Sequence, residues 1–344
     1  MYGEAIPCCL QAEDNPTLLH PECAPIPIPA DDPFYSKFDQ TCMDFVRSAP
    51  APRCLLDDPR SKFCSLFHTV WVRHHNHLAS RLKSINPSWD DEKLFQETRR
   101  IVGAQLQHVT YEYLPPIFGK KIIKDFKLKP LKNKKRKVFY RPDKSAAISA
   151  EFATAAVRFG YSEIAGHMER VDDFGDISST EMSSVAGNHF KGKNLFGLDL
   201  VELNIQRGCD HDIASYTAVR NSCELSPLHD FGYLSGKMDD DVIAKLEDVY
   251  RHVHDIDLFV GGLAEHPIEG GVVGPTFACI LLDQFLRLKE GDRYCYEPND
   301  KDTRFTKEQV KQIRSTTLTG IMCEVIPELK EIQAEPLKVA SSEK

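Results

Sequence analysis

No apolar stretch in these 344 residues reaches the roughly 20 residues a helix needs to cross a bilayer, so no membrane span is expected. The opening, MYGEAIPCCLQAEDNPTLLHPEC, lacks the basic start and the apolar run of about 7 to 15 residues that mark a secretory leader. The chain therefore reads as the internal portion of something longer. No N-x-S/T sequon free of proline at its middle position occurs, so glycan attachment gives no support for secretion. G-x-S-x-G, G-x-x-x-x-G-K-[ST] and H-E-x-x-H are missing too, which removes the common hydrolase, nucleotide and zinc-protease readings. No C-x-x-C pair faces a matching partner pair, which argues against a zinc site. Basic charge is in deficit: a net charge of −8 argues against a protein whose main work is neutralising phosphates, and nucleic acid is not an expected partner.

What is present belongs to an ordinary globular chain, with 42% hydrophobic and 27% charged residues, neither fraction suggesting disorder. The length allows one large core or two moderate ones. Eleven cysteines are many for a cytosolic protein, and Cys8, Cys9, Cys23, Cys42, Cys54 and Cys64 cluster at the front. That density points to an oxidising compartment and a front held by disulfides. The odd total leaves one thiol unpaired.

Residues 1 to 65 form a lead-in rich in Cys and Pro, where CAPIPIPADDP and RSAPAPRC read as extended or turn-rich because proline disfavours helix at itself and one residue before. A helical domain is expected over 66–325, with a C-terminal tail over 326–344. Leu66, Val70, His74, Leu78 and Leu82 recur at helical spacing until Asn86-Pro87. A second helix is predicted from near Asp90 to Pro115-Pro116, and a third, alanine-rich, along SAAISAEFATAAVRFGYSEIAGHMERV, whose small side chains allow close approach of a ligand. Further helices are predicted around 209–223, 238–252, from Pro275 onward and over 306–323, with turns at Gly261-Gly262 and Gly270-Gly271. Strand signals are few, so the fold class is all-α, mainly helical. The basic run from Lys120 to Arg141 reads as a solvated loop, with polyanion binding as its alternative.

Two histidine clusters stand out. His68, His74, His75 and His77 crowd one helix, and His74 and His77, three apart, share a face that could take a metal. The plainer reading packs His68 in the core and turns the others to water. HVHDIDLF at 252–259 sits at a predicted helix end, where the dipole favours histidine.

Several segments resemble the animal haem peroxidases. They are HPECAPIPIPADDPF with CMDFVRSAPAPRC, then HTVWVRHHNHLASRLKSINPSWDDEKLFQETRRIVGAQLQHVTYEYLPPIFG, FATAAVRFG, FGLDLVELNIQRGCDHDIASY, and DIDLFVGGLAEHPIEGGVVGPTFACILLDQFLRLKEGDRYCYE. They occur in the family's order and cover most of the chain from His20 to Cys323. The resemblance implies a secreted enzyme with a helical core and a buried haem, in which hydrogen peroxide oxidises a halide or a phenolic reducing substrate, and a link to the oxidative-stress response. It places Asn204 where an Asn steadies the proximal histidine and Arg207 where an Arg binds a haem propionate. Asp210 and His211 also fit, while Cys209 replaces the family's Arg and Asp212 its Gly.

The iron ligand departs from the pattern. FATAAVRFGYS puts Tyr161 where the family carries its histidine. A tyrosinate can hold haem iron, and a cation favours that anion; Arg158, one helical turn earlier, can supply it. His167 lies six residues on and would turn off that face if the helix continued. The family's distal histidine segment and its calcium loop have no counterpart in the sequence. Asp58 and Arg60 echo the family's G-D-x-R, which offers Arg60 as the distal arginine, and Phe63 stands where the haem-linking Glu would be. These departures predict an impaired peroxidase. A non-catalytic scaffold or extracellular binding module is the alternative.

Overall fold

The computed structural model describes residues 26–28, 41–43, 59–130, 140–163, 167–171, 177–181, 200–297, 303–327, 329 and 331–336; for 26, 27, 43, 59–66, 163, 167–171, 177–181 and 200 the description is of the backbone alone. The chain divides into a unit over Met1–Cys64 and a unit over Ser65–Lys344. In the first, β1 (Ile26–Pro27) pairs antiparallel with β2 (Cys42–Met43), and Cys42 is disulfide-bonded.

The architecture is mainly helical. The helices are α1 (Pro59–Ile85), α2 (Asp91–Asp125), α3 (Ala150–Thr154), α4 (Leu200–Asp210), α5 (Tyr216–Ser222), α6 (Asp240–Val249), α7 (Leu258–Ala264), α8 (Pro275–Gly291), α9 (Lys307–Ile313) and α10 (Leu318–Val325). A ribbon of β3 (His167–Val171) and β4 (Ile177–Glu181) pairs His167 with Glu181. α1 stops where Asn86-Pro87 predict it to. α2 starts on Asp90, whose carboxylate accepts from the Lys93 amide at 2.8 Å, with Asp91 and Glu92 favouring the positive helix end.

α2 runs past Pro115-Pro116 rather than ending there. It kinks at Gly119 (φ +76°), where an added Cβ would lie 2.7 Å from the Glu269 carbonyl oxygen. The freed backbone is taken up by the neighbouring turn: the Val272 amide donates to the Ile117 carbonyl at 3.0 Å. Tertiary pairing thus overrides the proline signal. Gly270 makes the expected turn with φ +71°. Gly261-Gly262 does not: both lie inside α7, where a Cβ would meet the Tyr216 ring at 2.3 Å and the Phe277 ring at 2.2 Å. Those glycines serve close packing of α7 on α5 and α8.

The third predicted helix also differs. α3 lasts five residues, Ala155 leaves helical geometry (φ −127°, ψ −66°), a 3-10 helix spans Ala156–Glu163, and His167 is in a strand. Alanine lends helix propensity, but burial of Phe152, Ala155, Ala156 and Phe159 sets a different backbone path. The helix predicted at 209–223 is two helices, α4 and α5, joined through Asp212 at φ +50°. That left-handed residue occupies the family's glycine position.

The main core gathers Leu114, Phe118 and Ile123 of α2, Phe152, Phe159, Leu258 and Phe259, with Phe277 and Leu281 of α8, each fully buried side chain of this size contributing about 1.5–3 kcal/mol. A second cluster joins Val70 of α1 to Leu318, Ile321 and Met322 of α10, with Ile326, Leu329 and Ile332 packed against it. A Cys223–Cys279 disulfide links the end of α5 to α8.

Candidate functional site

The segment carrying Tyr161 is held from behind by α8. Gln284, fully buried, accepts from the Ser149 amide at 2.8 Å and donates to the Ala147 carbonyl at 3.1 Å. The Ser149 hydroxyl accepts from the Phe152 amide at 3.2 Å and so caps α3. Phe152 meets Phe285 edge-on, centroids 6.0 Å apart. With these apolar residues inward, Arg158 and Tyr161 stand half-buried on the remaining face of the 3-10 helix.

Arg158 connects the sequence-derived site residues. Its Nε donates to the Ala153 carbonyl at 2.9 Å, which fixes the guanidinium plane. Its Nη1 then lies 3.4 Å from the Tyr161 hydroxyl oxygen and 3.5 Å from Oδ1 of Asn204. Both contacts exceed the usual 2.7 to 3.2 Å of an N–H···O bond, so the cation acts on the two oxygens mainly through its charge. Asn204 is buried on α4, only 2% exposed. Arg207, one turn later, is exposed. Arg60 lies on the backbone of α1, but its side chain falls outside the described residues, as do Asp58 and Phe63. Residues 131–139 of the basic run are outside them as well.

Asn204 also lines a cavity of about 250 Å³ with Thr154, Cys209, Asp212, Asp257 and Phe259. Asp257 accepts from the Tyr250 hydroxyl at 2.7 Å. Tyr161 is not in that lining, and the volume is below the roughly 300 Å³ where sites for drug-sized ligands begin. Through Asn204 the cavity borders the Arg158–Tyr161 pair. What fits haem is the donor set itself, a phenol oxygen of the kind that can hold haem iron with a fixed guanidinium beside it. The Arg158 bridge to Asn204 had no signal in the spacing, since the two are 46 residues apart.

The histidines of both clusters make contacts within the fold. His68 is exposed and His74 is buried, the reverse of the plainer expectation, because the face holding Val70 and His74 packs on α10. His74 Nε2 pairs with Gln105 Oε1 at 2.8 Å. His77 and Arg81 each approach Glu324 Oε1 at 3.1 Å. Among the described residues no three His, Cys, Asp or Glu side chains are placed to hold a metal ion. In the second cluster His252 starts a 3-10 helix (Val253–Asp255) by accepting from the His254 amide and donating its own to Asp255. The histidine thus caps a helix beginning rather than a C-terminus.

The sequence profile of animal haem peroxidases matches residues 2–66, 58–190 and 177–337. The chain is 34% identical to peroxidasin homolog pxn-2 of Caenorhabditis elegans over 88% of its own length and 26% of that protein's. It is 32% identical to chorion peroxidase of Drosophila melanogaster, covering 97% of this chain and 55% of the relative. The chain thus spans between about a quarter and about half of the length of these relatives. Among solved structures, peroxidase A of Dictyostelium discoideum superposes with a TM-score of 0.65 at 28% identity, over 78% of this chain and 56% of that one. A fatty acid alpha-dioxygenase of Arabidopsis thaliana shares the fold at a TM-score of 0.56 and 17% identity, over 76% of this chain and 52% of that one. On the profile match, the identity to both relatives and the shared helical core, the chain belongs to the animal haem peroxidase family.

Proposed function

We propose that this chain is a haem peroxidase core with impaired turnover, in which Tyr161 would hold the haem iron. The observation that carries the reading is the fixed Arg158 guanidinium 3.4 Å from the Tyr161 oxygen, a cation where an anionic oxygen ligand needs one. Bound haem would supply the redox chemistry by which hydrogen peroxide is reduced and a halide or phenolic substrate oxidised.

The chain's own residues divide the remaining work. Arg158, tied to the Ala153 carbonyl, holds charge at Tyr161 and orients toward Asn204. Arg207, exposed on α4, is the counter-charge for a propionate. Arg60 on α1 is the candidate for polarising peroxide. Impairment follows from Tyr161 itself, a phenol oxygen where the family uses a histidine imidazole. The disulfides at Cys42 and Cys223–Cys279 support an extracellular location.

A second reading is a scaffold that has lost its cofactor. It is favoured by the same Arg158, which already occupies itself with two protein oxygens. One experiment separates the two: absorption spectra of the chain, expressed in an oxidising compartment and supplied with hemin, beside Tyr161→His and Tyr161→Phe. The peroxidase reading expects an intense near-ultraviolet haem band that shifts in the His variant and weakens in the Phe variant. Absence of specific haem uptake by the unmutated chain leaves the scaffold.

A further inference from the structure

The turn that follows α2 carries a concentration of positive charge that the peroxidase reading does not use. Lys120, Lys121 and Lys124 lie on the last stretch of α2 beyond the Gly119 kink, and Lys127 and Lys129 on the turn after it. At 100° per residue, positions 120, 124 and 121 fall within about 100° of arc, beside the buried Ile123 rather than on its face. All five lysines are exposed, and none takes part in an ion pair within the described residues. Asp125, exposed at the edge of the arc, is the one acidic residue between them. Lys120 and Lys124, four apart on a helix, repel, and the chain as a whole is acidic, with net charge −8.

This basic turn is also rigid. The ammonium of Lys289, only 4% exposed, reaches the Leu128 carbonyl at 2.9 Å, with the Lys129 and Lys127 carbonyls at 3.4 and 3.5 Å. Glu297 balances that buried charge at 3.0 Å. Lys127 itself adopts φ +56°, and the Leu128 amide returns to the Ile123 carbonyl at 3.1 Å, a closing geometry for a helix end. The backbone is thus clamped from inside while the five side chains point to solvent. Holding unpaired like charges on a fixed frame has no stabilising role for the fold, and it lowers the ordering cost of binding a polyanion.

We propose that this surface binds a sulfated polysaccharide. The cations are all lysine ammoniums, point charges suited to scattered sulfates rather than to base edges or planar bidentate recognition. Phe126 is the single exposed aromatic among them, too little for stacking on nucleobases. The disulfides suit an oxidising, extracellular setting, in which such polysaccharides are the prevalent linear polyanions. The proposal does not depend on haem, so its failure would leave the Tyr161 spectra untouched.

The test is heparin binding by the full chain in a NaCl series, next to a variant carrying Lys120→Gln, Lys121→Gln, Lys124→Gln, Lys127→Gln and Lys129→Gln. A control carries Lys93→Gln, Lys307→Gln and Lys311→Gln, exposed lysines elsewhere. With five contacts and the counterion coefficient known for duplex DNA, raising salt from about 50 to 200 mM weakens binding by on the order of a hundredfold or more. The expected result is that dependence in the unmutated chain and the control, with retention lost in the five-lysine variant while its thermal unfolding is unchanged. The salt slope of the unmutated chain needs no variant, and release of fewer than about two ions overturns the proposal. Undiminished retention after neutralising the five lysines overturns it too, as does tighter binding to double-stranded RNA or to phosphatidylserine vesicles than to heparin.

Discussion

Replacing Glu265 tests whether the buried polar knot behind the candidate site holds the helices together. Glu265 follows α7 and is buried. It accepts from the Arg220 guanidinium, from the Tyr216 hydroxyl at 2.8 Å, and from the amide and hydroxyl of Thr276 at 2.7 and 2.8 Å. Three helices, α5, α7 and α8, thus meet at one carboxylate. Burial, with Glu265 alongside, raises the Tyr216 pKa above its ordinary value, so the phenol remains a donor. Glu265→Ala leaves the Arg220 charge buried and unpaired, which costs about 3–5 kcal/mol, roughly a fifth or more of a typical stability of about 5–15 kcal/mol. Arg220→Met alone should cost a comparable amount. The pair together should cost clearly less than the sum, because neither charge is then stranded. Urea unfolding followed by circular dichroism gives all four corners of the cycle. A single-variant loss below about 1 kcal/mol, or strict additivity, would refute the claim that the two charges act as a unit.

Two further outcomes are expected. His108 is buried against Tyr296, Nδ1 to the hydroxyl oxygen at 2.9 Å, and burial lowers its pKa despite Glu112 and Glu297. The folded chain therefore binds fewer protons than the unfolded one as pH falls below about 6.5, so stability from the neutral ring is full above that pH and drains toward the folded-state pKa, with a limiting slope of about 1.4 kcal/mol per unit. His108→Gln should flatten the stability profile in that window, as read by urea midpoints between about pH 5 and 7. Removing the Cys223–Cys279 bridge, which closes a separation of 56 residues, by a double Ser substitution should lower stability by about 4 kcal/mol on the chain-entropy account. Calorimetry on the double variant measures it, and a shift in unfolding temperature under about 2 °C would contradict that account.

Within the candidate site, the sequence named candidate residues and gave no sign of how they meet. Asn204, Arg207 and Tyr161 came from motif blocks, and Arg158 from its one-turn spacing to Tyr161. The bridge from Arg158 to Asn204 depends on the approach of α4 to the 3-10 helix, which no local pattern encodes. The same holds for Gln284, an unremarked polar residue in an apolar run, whose amide proves to anchor the segment before Tyr161.

The sequence by itself determined the family, the helical class, the start of α2 at Asp90 and the end of α1 at Asn86-Pro87, because motif order, apolar periodicity and capping chemistry are local. Tertiary structure alone decided that α2 passes through Pro115-Pro116 to kink at Gly119, that Gly261-Gly262 lie inside a helix, and that the alanine-rich segment becomes a short helix, a 3-10 turn and a strand. Each of these exchanges a local preference of about 1–3 kcal/mol for contacts between residues distant in sequence: a carbonyl of Glu269 against Gly119, the rings of Tyr216 and Phe277 against two glycines, and a buried face of four apolar residues in and after α3.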